Sequence, residues 1–338
     1  MTIGRGAAIF GCAGPELLAE ERAFFRDADP FGFILFARNV ETPDQLRRLT
    51  GDLRASVGRD APVLVDQEGG RVQRLRAPYW RQWQPPFDLV AGFARVDDAA
   101  RAMGLQAQII AAELRAVGID ANCAPVADVA RDATHPFLKN RCYGTNPVVV
   151  SAVARAVADG YLVGGVLPVV KHMPGHGLSQ MDTHLDLPTV RVGRETLDRV
   201  DFAPFRALND LPMAMTAHII FADYDDKPAT QSPALIKVIR DDIGFHGLLM
   251  TDDLNMEALQ GTLTSRTAAS MAAGCDIALH CKGDMAQMVE VAAAVGDMRA
   301  DTAVRARAAL AARRAPETVD IAALEADLAG LLAGTLHA

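Results

Sequence analysis

Eight short apolar runs recur along the chain, and each is followed by a segment patterned as an amphipathic helix. The runs are Ala7–Cys12, Gly32–Phe36, Pro62–Val65, Ile119–Pro125, Pro168–Lys171, Pro212–Ala217, Gly247–Thr251 and Ile277–Cys281. Between them lie the amphipathic segments Thr42–Val57, Asp97–Val117, Pro147–Val163, Glu195–Leu208, Pro233–Asp242 and Arg266–Ala273, several of them rich in alanine. Near-continuous apolar strands need cover on both faces, which helices on both sides of a parallel sheet provide. About eight such units favour closure, so the expected fold is α/β, a single-domain (β/α)8 TIM barrel with irregular first strands. A doubly wound open sheet is the alternative. No Pro/Gly/Ser-rich linker interrupts the alternation, so residues 1–338 are read as one catalytic domain, with helices from about 285 to 338 packing on the barrel and no second domain.

The polar residues worth attention fall where these strands end. Asp66 follows Val63-Leu64-Val65, Lys171 and His172 follow Val169-Val170, His218 follows Met213–Ala217, and Asp252-Asp253 follow Leu248–Thr251. In a barrel these positions share one rim, the rim at which active sites are built, so residues a hundred positions apart converge.

The densest segment is Lys171–His184, Lys-His-Met-Pro-Gly-His-Gly-Leu-Ser-Gln-Met-Asp-Thr-His. Pro174, Gly175 and Gly177 forbid a regular helix through it, and three imidazoles crowded after a buried strand are costly unless they are partnered or used. Asp182-Thr183-His184 has the spacing at which a carboxylate can orient an imidazole that exchanges a proton with a substrate. Gly175 and Gly177 are candidate hinges for bringing that pair over a ligand. Asp252, at a strand end with Thr251 and Asp253 beside it, is the candidate carboxylate nucleophile; Asp253 suits the N-cap of a following helix. Asp66, before Gly69-Gly70, suits the acceptance of hydrogen bonds from vicinal hydroxyls, or an ion pair with arginine. A metal site built from His172, His176, Asp182 and His184 is the rival reading, against which stand the broken i, i+4 geometry and the absence of HExxH. No metal and no cofactor are expected.

Charge and cysteine content narrow the partner. The formal net charge is −8, with both signs mixed along the sequence, which points away from nucleic acid and anionic membranes and toward a small-molecule substrate. Cys12, Cys123, Cys142, Cys275 and Cys281 are odd in number and form no CxxC pair, as in a reducing, cytoplasmic setting. No run approaches the ~20 apolar residues of a membrane span. Ile9-Phe10-Gly11-Cys12 has the look of a lipoprotein cleavage box, yet its apolar stretch is short and only Arg5 precedes it, so a first buried strand is the expectation.

Taken together, Asp66–Arg74, Ala124–Val129, Arg141, Lys171–His184, Ala214–His218 and Thr251–Met256 resemble family 3 glycoside hydrolases, in order from about residue 5 to residue 282. Within that family the KHxPGHG segment and its Asp-x-His pair resemble the bacterial cytosolic β-N-acetylglucosaminidases of cell-wall recycling. Met173 stands where Phe is commoner, and Lys139-Asn140 where Gly-Asp or Gly-Glu usually precedes the arginine. The resemblance implies Asp252 as nucleophile and His184, oriented by Asp182, as acid/base. It implies that Asp66, Arg74, Arg141, Lys171 and His172 bind the terminal N-acetylglucosamine, with His218 and Met256 as further candidates for contact. The implied substrate is N-acetylglucosaminyl-1,6-anhydro-N-acetylmuramic acid, with or without its peptide. A phosphorylase with the same nucleophile, catalysis assisted by the substrate's acetamido group, metal-dependent hydrolysis and a non-catalytic muropeptide sensor remain as alternatives.

Overall fold

The computed structural model describes residues 2–180, 187–317 and 319–335. Eight parallel strands close into a barrel: β1 (Gly6–Phe10), β2 (Pro30–Leu35), β3 (Val63–Val65), β4 (Ala121–Asn122), β5 (Leu167–Met173), β6 (Met213–Thr216), β7 (Leu248–Asp253) and β8 (Ile277–His280). Each pairs with its sequence neighbour, and β8 closes on β1 through Ala8↔Ala278, Ile9↔Leu279 and Phe10↔His280. Every apolar run read from the sequence is thus a barrel strand, Ile9 and Phe10 included. The anticipated irregularity of the first strands is a register shift between Gly6 and Ile9 in the β1–β2 pairing.

Strand periodicity sorts the core into two layers, because alternate residues point to opposite faces. Ile9, Ile34, Leu64, Val169, Met215, Met250 and Leu279 belong to the interior cluster. Their neighbours Ala8, Phe33, Val63, Val170, Ala214, Leu249 and Ala278 pack outward beneath the helices. The helices follow local rules. Pro43–Val57 starts with Thr42 accepting from the Gln45 amide and with Pro at its first position, and it ends at Gly58 in the left-handed region.

Two helices expected to be continuous are not. Phe202 N–H bonds Leu197 O and Ile243 N–H bonds Val238 O, both at 2.9 Å, so each segment widens into a five-residue turn. In the first case Pro204 starts the next helical turn, Ala203–Ala207, and has no amide to continue the preceding one.

The rim where the strands begin is locked by ion pairs. Asp276, fully buried before β8, accepts from Arg305 Nη2 and Arg240 Nη2, both at 2.7 Å, and from Thr302 Oγ1 at 2.9 Å. Asp120, fully buried before β4, pairs with Arg54 at 2.8 Å and with Arg313. Helix Ala300–Ala311 places Ala306, Ala309 and Leu310 in the interior cluster and so stoppers that end. The opposite rim is left for chemistry. No helix among the described residues is long and apolar enough to cross a membrane.

Candidate active site

The chain turns back just beyond β3, where Gln67–Gly69 pairs antiparallel with Val72–Gln73. Gly69 and Gly70 make that turn at φ 110° and 57°, and a side chain at Gly70 would press on Pro85. The hairpin holds Asp66, Glu68 and Arg74 against two cations from elsewhere. Lys171 Nζ, at the end of β5, lies 2.8 Å from Asp66 Oδ1 and 2.7 Å from Glu68 Oε1. Arg74 Nη2 meets Asp66 Oδ2 at 2.9 Å, and Arg141 grips Glu68 through Nε and Nη2, both at 2.8 Å. Burial alone would raise the Asp66 and Glu68 carboxyls. The adjacent cations reverse this, holding Asp66 far below the usual range and Glu68 at about 2. Burial likewise works against the Lys171 ammonium, and Asp66 and Glu68 raise it overall.

Asp252 faces this cluster from β7 and lines the same cavity of about 200 Å3, together with Asp66, Arg74, Arg141, Lys171, His172 and Met256. Its Oδ1 accepts the Asp253 amide at 2.8 Å. Burial pushes its carboxyl up, but His218, His172, that amide and Lys171 outweigh it, and the group stays below the ordinary aspartate range. An ionised oxygen at the cavity wall is what a nucleophile requires.

His218 is not spare. Its Nδ1 is 2.7 Å from Thr230 Oγ1 and its Nε2 is 3.0 Å from the Asp253 carbonyl, with the ring fully buried. Burial lowers this imidazole, so in its neutral form Nε2–H donates to the carbonyl and fixes the backbone next to Asp252.

His172 Nδ1 lies 2.7 Å from Asp128 Oδ2, which leaves Nε2 facing Arg141 Nη2 at 3.5 Å. Asp128 Oδ1 accepts the amides of His172 at 3.2 Å and His176 at 2.7 Å. Asp128, His172 and His176 each offer a ligand atom within 4.8 Å of the others, so they are the described residues able to hold a metal ion. An ion there would have to displace the proton shared by His172 and Asp128. This trio shares His172 and His176 with the metal set anticipated from spacing and adds Asp128; the other two members of that set fall among residues 181–186, which are not described.

Asp182 and His184 lie outside the described residues. Up to Gln180 the segment is seated on residues 129–135: Thr134 Oγ1 donates to Gly177 O at 2.5 Å and His135 N–H to Ser179 O at 3.0 Å. Gly177 packs directly on the Val129 carbonyl and Gly175, at φ 144°, lies over Asp201. Both glycines considered as hinges therefore serve close approach in this structure.

A rim of strand-end carboxylates, an ion-paired pocket and an ionised aspartate facing it suit the handling of a polyhydroxylated ligand. The sequence model of the glycosyl hydrolase family 3 N-terminal domain matches residues 16–311. The chain belongs to glycosyl hydrolase family 3. It is a glycoside hydrolase of that family, and its relatives agree. A β-hexosaminidase of Alkalilimnicola ehrlichii is 39% identical over 282 residues, covering 82% of this chain and 80% of the relative. Native NagZ from Neisseria gonorrhoeae superposes with a TM-score of 0.86 at 32% identity, covering 98% of both chains. The same protein in complex with N-trifluoroacetyl-D-glucosamine gives 0.84 at 31% identity, covering 98% of this chain and 97% of that one.

Two residues of this site were given no individual role in the sequence reading, Glu68 and Asp128, although both lie in segments that carry the resemblance, Asp66–Arg74 and Ala124–Val129; His176 entered only as a candidate metal ligand. Glu68 had a signal. Three cations converging on Asp66 alone would leave buried charge unbalanced, so a second carboxylate nearby was required. Asp128 had only its place in the Ala124–Val129 segment, since its partner His172 is 44 positions away.

Proposed function

We propose that this glycoside hydrolase is an exo-acting, retaining β-N-acetylglucosaminidase that removes terminal N-acetylglucosamine from 1,6-anhydro-muropeptides during peptidoglycan recycling. The observation that carries the reading is the position of Asp252 across a small cavity from the Asp66–Lys171–Arg74 and Glu68–Arg141 network. Pockets for drug-sized ligands run to roughly 300–1,000 Å3. A cavity of about 200 Å3 suits one terminal sugar ring, hence exo action. The relatives named β-hexosaminidase and the N-acylglucosamine bound by the gonococcal enzyme support the choice of sugar.

In the first step the Asp252 carboxylate attacks the anomeric carbon while His184, oriented by Asp182, protonates the departing glycosidic oxygen. The carbon–oxygen bond to the leaving group breaks and a glycosyl ester forms on Asp252. In the second step His184 takes a proton from water, the water oxygen attacks the anomeric carbon, and Asp252 leaves. Asp66, Arg74, Arg141, Lys171 and His172 hold the sugar. All five cysteines are free and buried, which fits a reducing cytoplasm.

The test is release of 4-nitrophenol from 4-nitrophenyl N-acetyl-β-glucosaminide in phosphate-free buffer with chelator, for wild type and Asp252→Ala. Turnover by wild type alone supports the reading. A requirement for phosphate would make the protein a phosphorylase, loss to chelator would make it metal-dependent, and no turnover under any condition would make it a binding protein.

A further inference from the structure

His176 is the one imidazole of the cavity left with nothing to do by the mechanism above. Its side chain is 2% exposed, it lines the cavity beside His172 and Asp252, and neither ring nitrogen has a hydrogen-bond partner among the described residues. Its neighbours, by contrast, have protein partners: His172 Nδ1 on Asp128, Lys171 on Asp66 and Glu68, Arg141 on Glu68. The ring is also held in place. Its backbone amide is fixed on Asp128 Oδ1 at 2.7 Å, and the ring stands edge-on to His172 with centroids 5.2 Å apart. A neutral imidazole in this position carries one N–H donor and one bare acceptor nitrogen.

Two ring nitrogens without a partner among the described residues, on a buried and fixed ring, cost free energy until they are paired. A phenyl ring would fill the same space without that cost. What relieves it is a group that both gives and takes hydrogen bonds, which describes a sugar hydroxyl or an acetamide and not an apolar aglycone. We propose that His176 is a further substrate-contacting residue, hydrogen-bonding a hydroxyl or amide of the aminosugar bound in the cavity.

This inference rests on the cavity being the N-acetylglucosamine site, and the experiment separates the two. Binding of N-acetylglucosamine to wild type, His176→Phe and His176→Gln is measured by calorimetry with chelator present, alongside Tm and hydrolysis of the nitrophenyl glycoside. The expected result is at least tenfold weaker binding for His176→Phe with Tm retained, partly recovered in His176→Gln, which keeps a donor and an acceptor. Unchanged affinity in His176→Phe overturns the inference. Should His176→Phe fail to fold, ring nitrogen resonances of 15N-histidine wild type decide: a shift of the His176 signals on saturation with the sugar supports the contact, and an unmoved signal overturns it. If wild type hydrolyses the glycoside and His176 stays silent, only this inference falls; if wild type neither binds nor cleaves, the functional reading falls with it.

Discussion

Lys171 and Asp66 stand 105 positions apart in the sequence, yet the Lys171 ammonium lies 2.8 Å from Asp66 Oδ1. The same nitrogen reaches Glu68, while Arg74 and Arg141 take the remaining carboxylate oxygens. Three cations thus share two carboxylates, and the surplus positive charge faces the ionised Asp252. The cluster is rigid before any ligand arrives, which lowers the cost of orienting a sugar.

Lys171→Met should be strongly destabilising, because it leaves Asp66 and Glu68 buried with a diminished cation set. Breaking a buried pair costs about 3–5 kcal/mol. The sign of the pH effect follows from both carboxyls lying low in the folded protein. They bind protons less readily than in the unfolded chain, so their stabilisation is full above about pH 5 and drains away as pH falls through the folded values. Urea denaturation across pH should show acid unfolding moved to higher pH in Lys171→Met. Overlapping curves for the two proteins would mean that the cluster is not a stabilising unit.

Removing the Asp252 carboxylate should abolish turnover, by a factor on the order of 10^6 if it is a true covalent nucleophile. Its folded value is lowered, so kcat/KM should persist into acid and decline only below the ordinary aspartate range of about 3.9. A 2-fluoro or 5-fluoro glycosyl substrate should add one sugar mass to a peptide containing Asp252. Absence of the adduct with turnover intact would shift the mechanism to attack by the acetamido oxygen.

The His184 assignment predicts selectivity by leaving group. General acid catalysis contributes about 10^2–10^4. His184→Ala should lose that factor on a muropeptide or other poor leaving group and far less on the nitrophenyl glycoside. Asp182→Ala should show the same pattern more weakly. Equal losses on both substrates would remove His184 from the acid role.

Much of this was legible in the sequence, for identifiable reasons. Barrel strands are buried on both faces, so they read as apolar runs such as Val63–Val65 and Leu248–Met250 even at three residues, and strand-end polarity marked Asp66, Lys171, His172 and Asp252. Helix starts were less legible. Pro15 is of the residue type that opens helices, yet the first helix begins at Ala19, where Glu21 accepts the amides of Ala13 and Leu18 and so holds the preceding turn out of the helix. Local pattern also did not reveal the five-residue turns at Leu197–Asp201 and Val238–Asp242, or the use of both His218 nitrogens by Thr230 and Asp253.

Gly177 provides the sharpest test of how the segment after β5 is seated. A methyl group there would fall inside the van der Waals radius of Val129 O and 2.6 Å from Val129 C. Both are backbone atoms, and neither can rotate aside. Gly177→Ala must therefore lift residues 176–179 from the 129–135 loop, breaking the Thr134–Gly177 and His135–Ser179 bonds and pulling His176 off Asp128. Overpacking of this kind costs about 1–3 kcal/mol, and kcat/KM should fall with it because His172 shares the same aspartate. Gly51, inside helix Pro43–Val57 with nothing near its would-be methyl, is the control: Gly51→Ala should stabilise by about 0.5–1 kcal/mol with activity unchanged. A Gly177→Ala protein with wild-type Tm and kcat/KM would show that the segment does not rest on Val129 in solution, and the paired measurement separates that outcome from a generally tolerant fold.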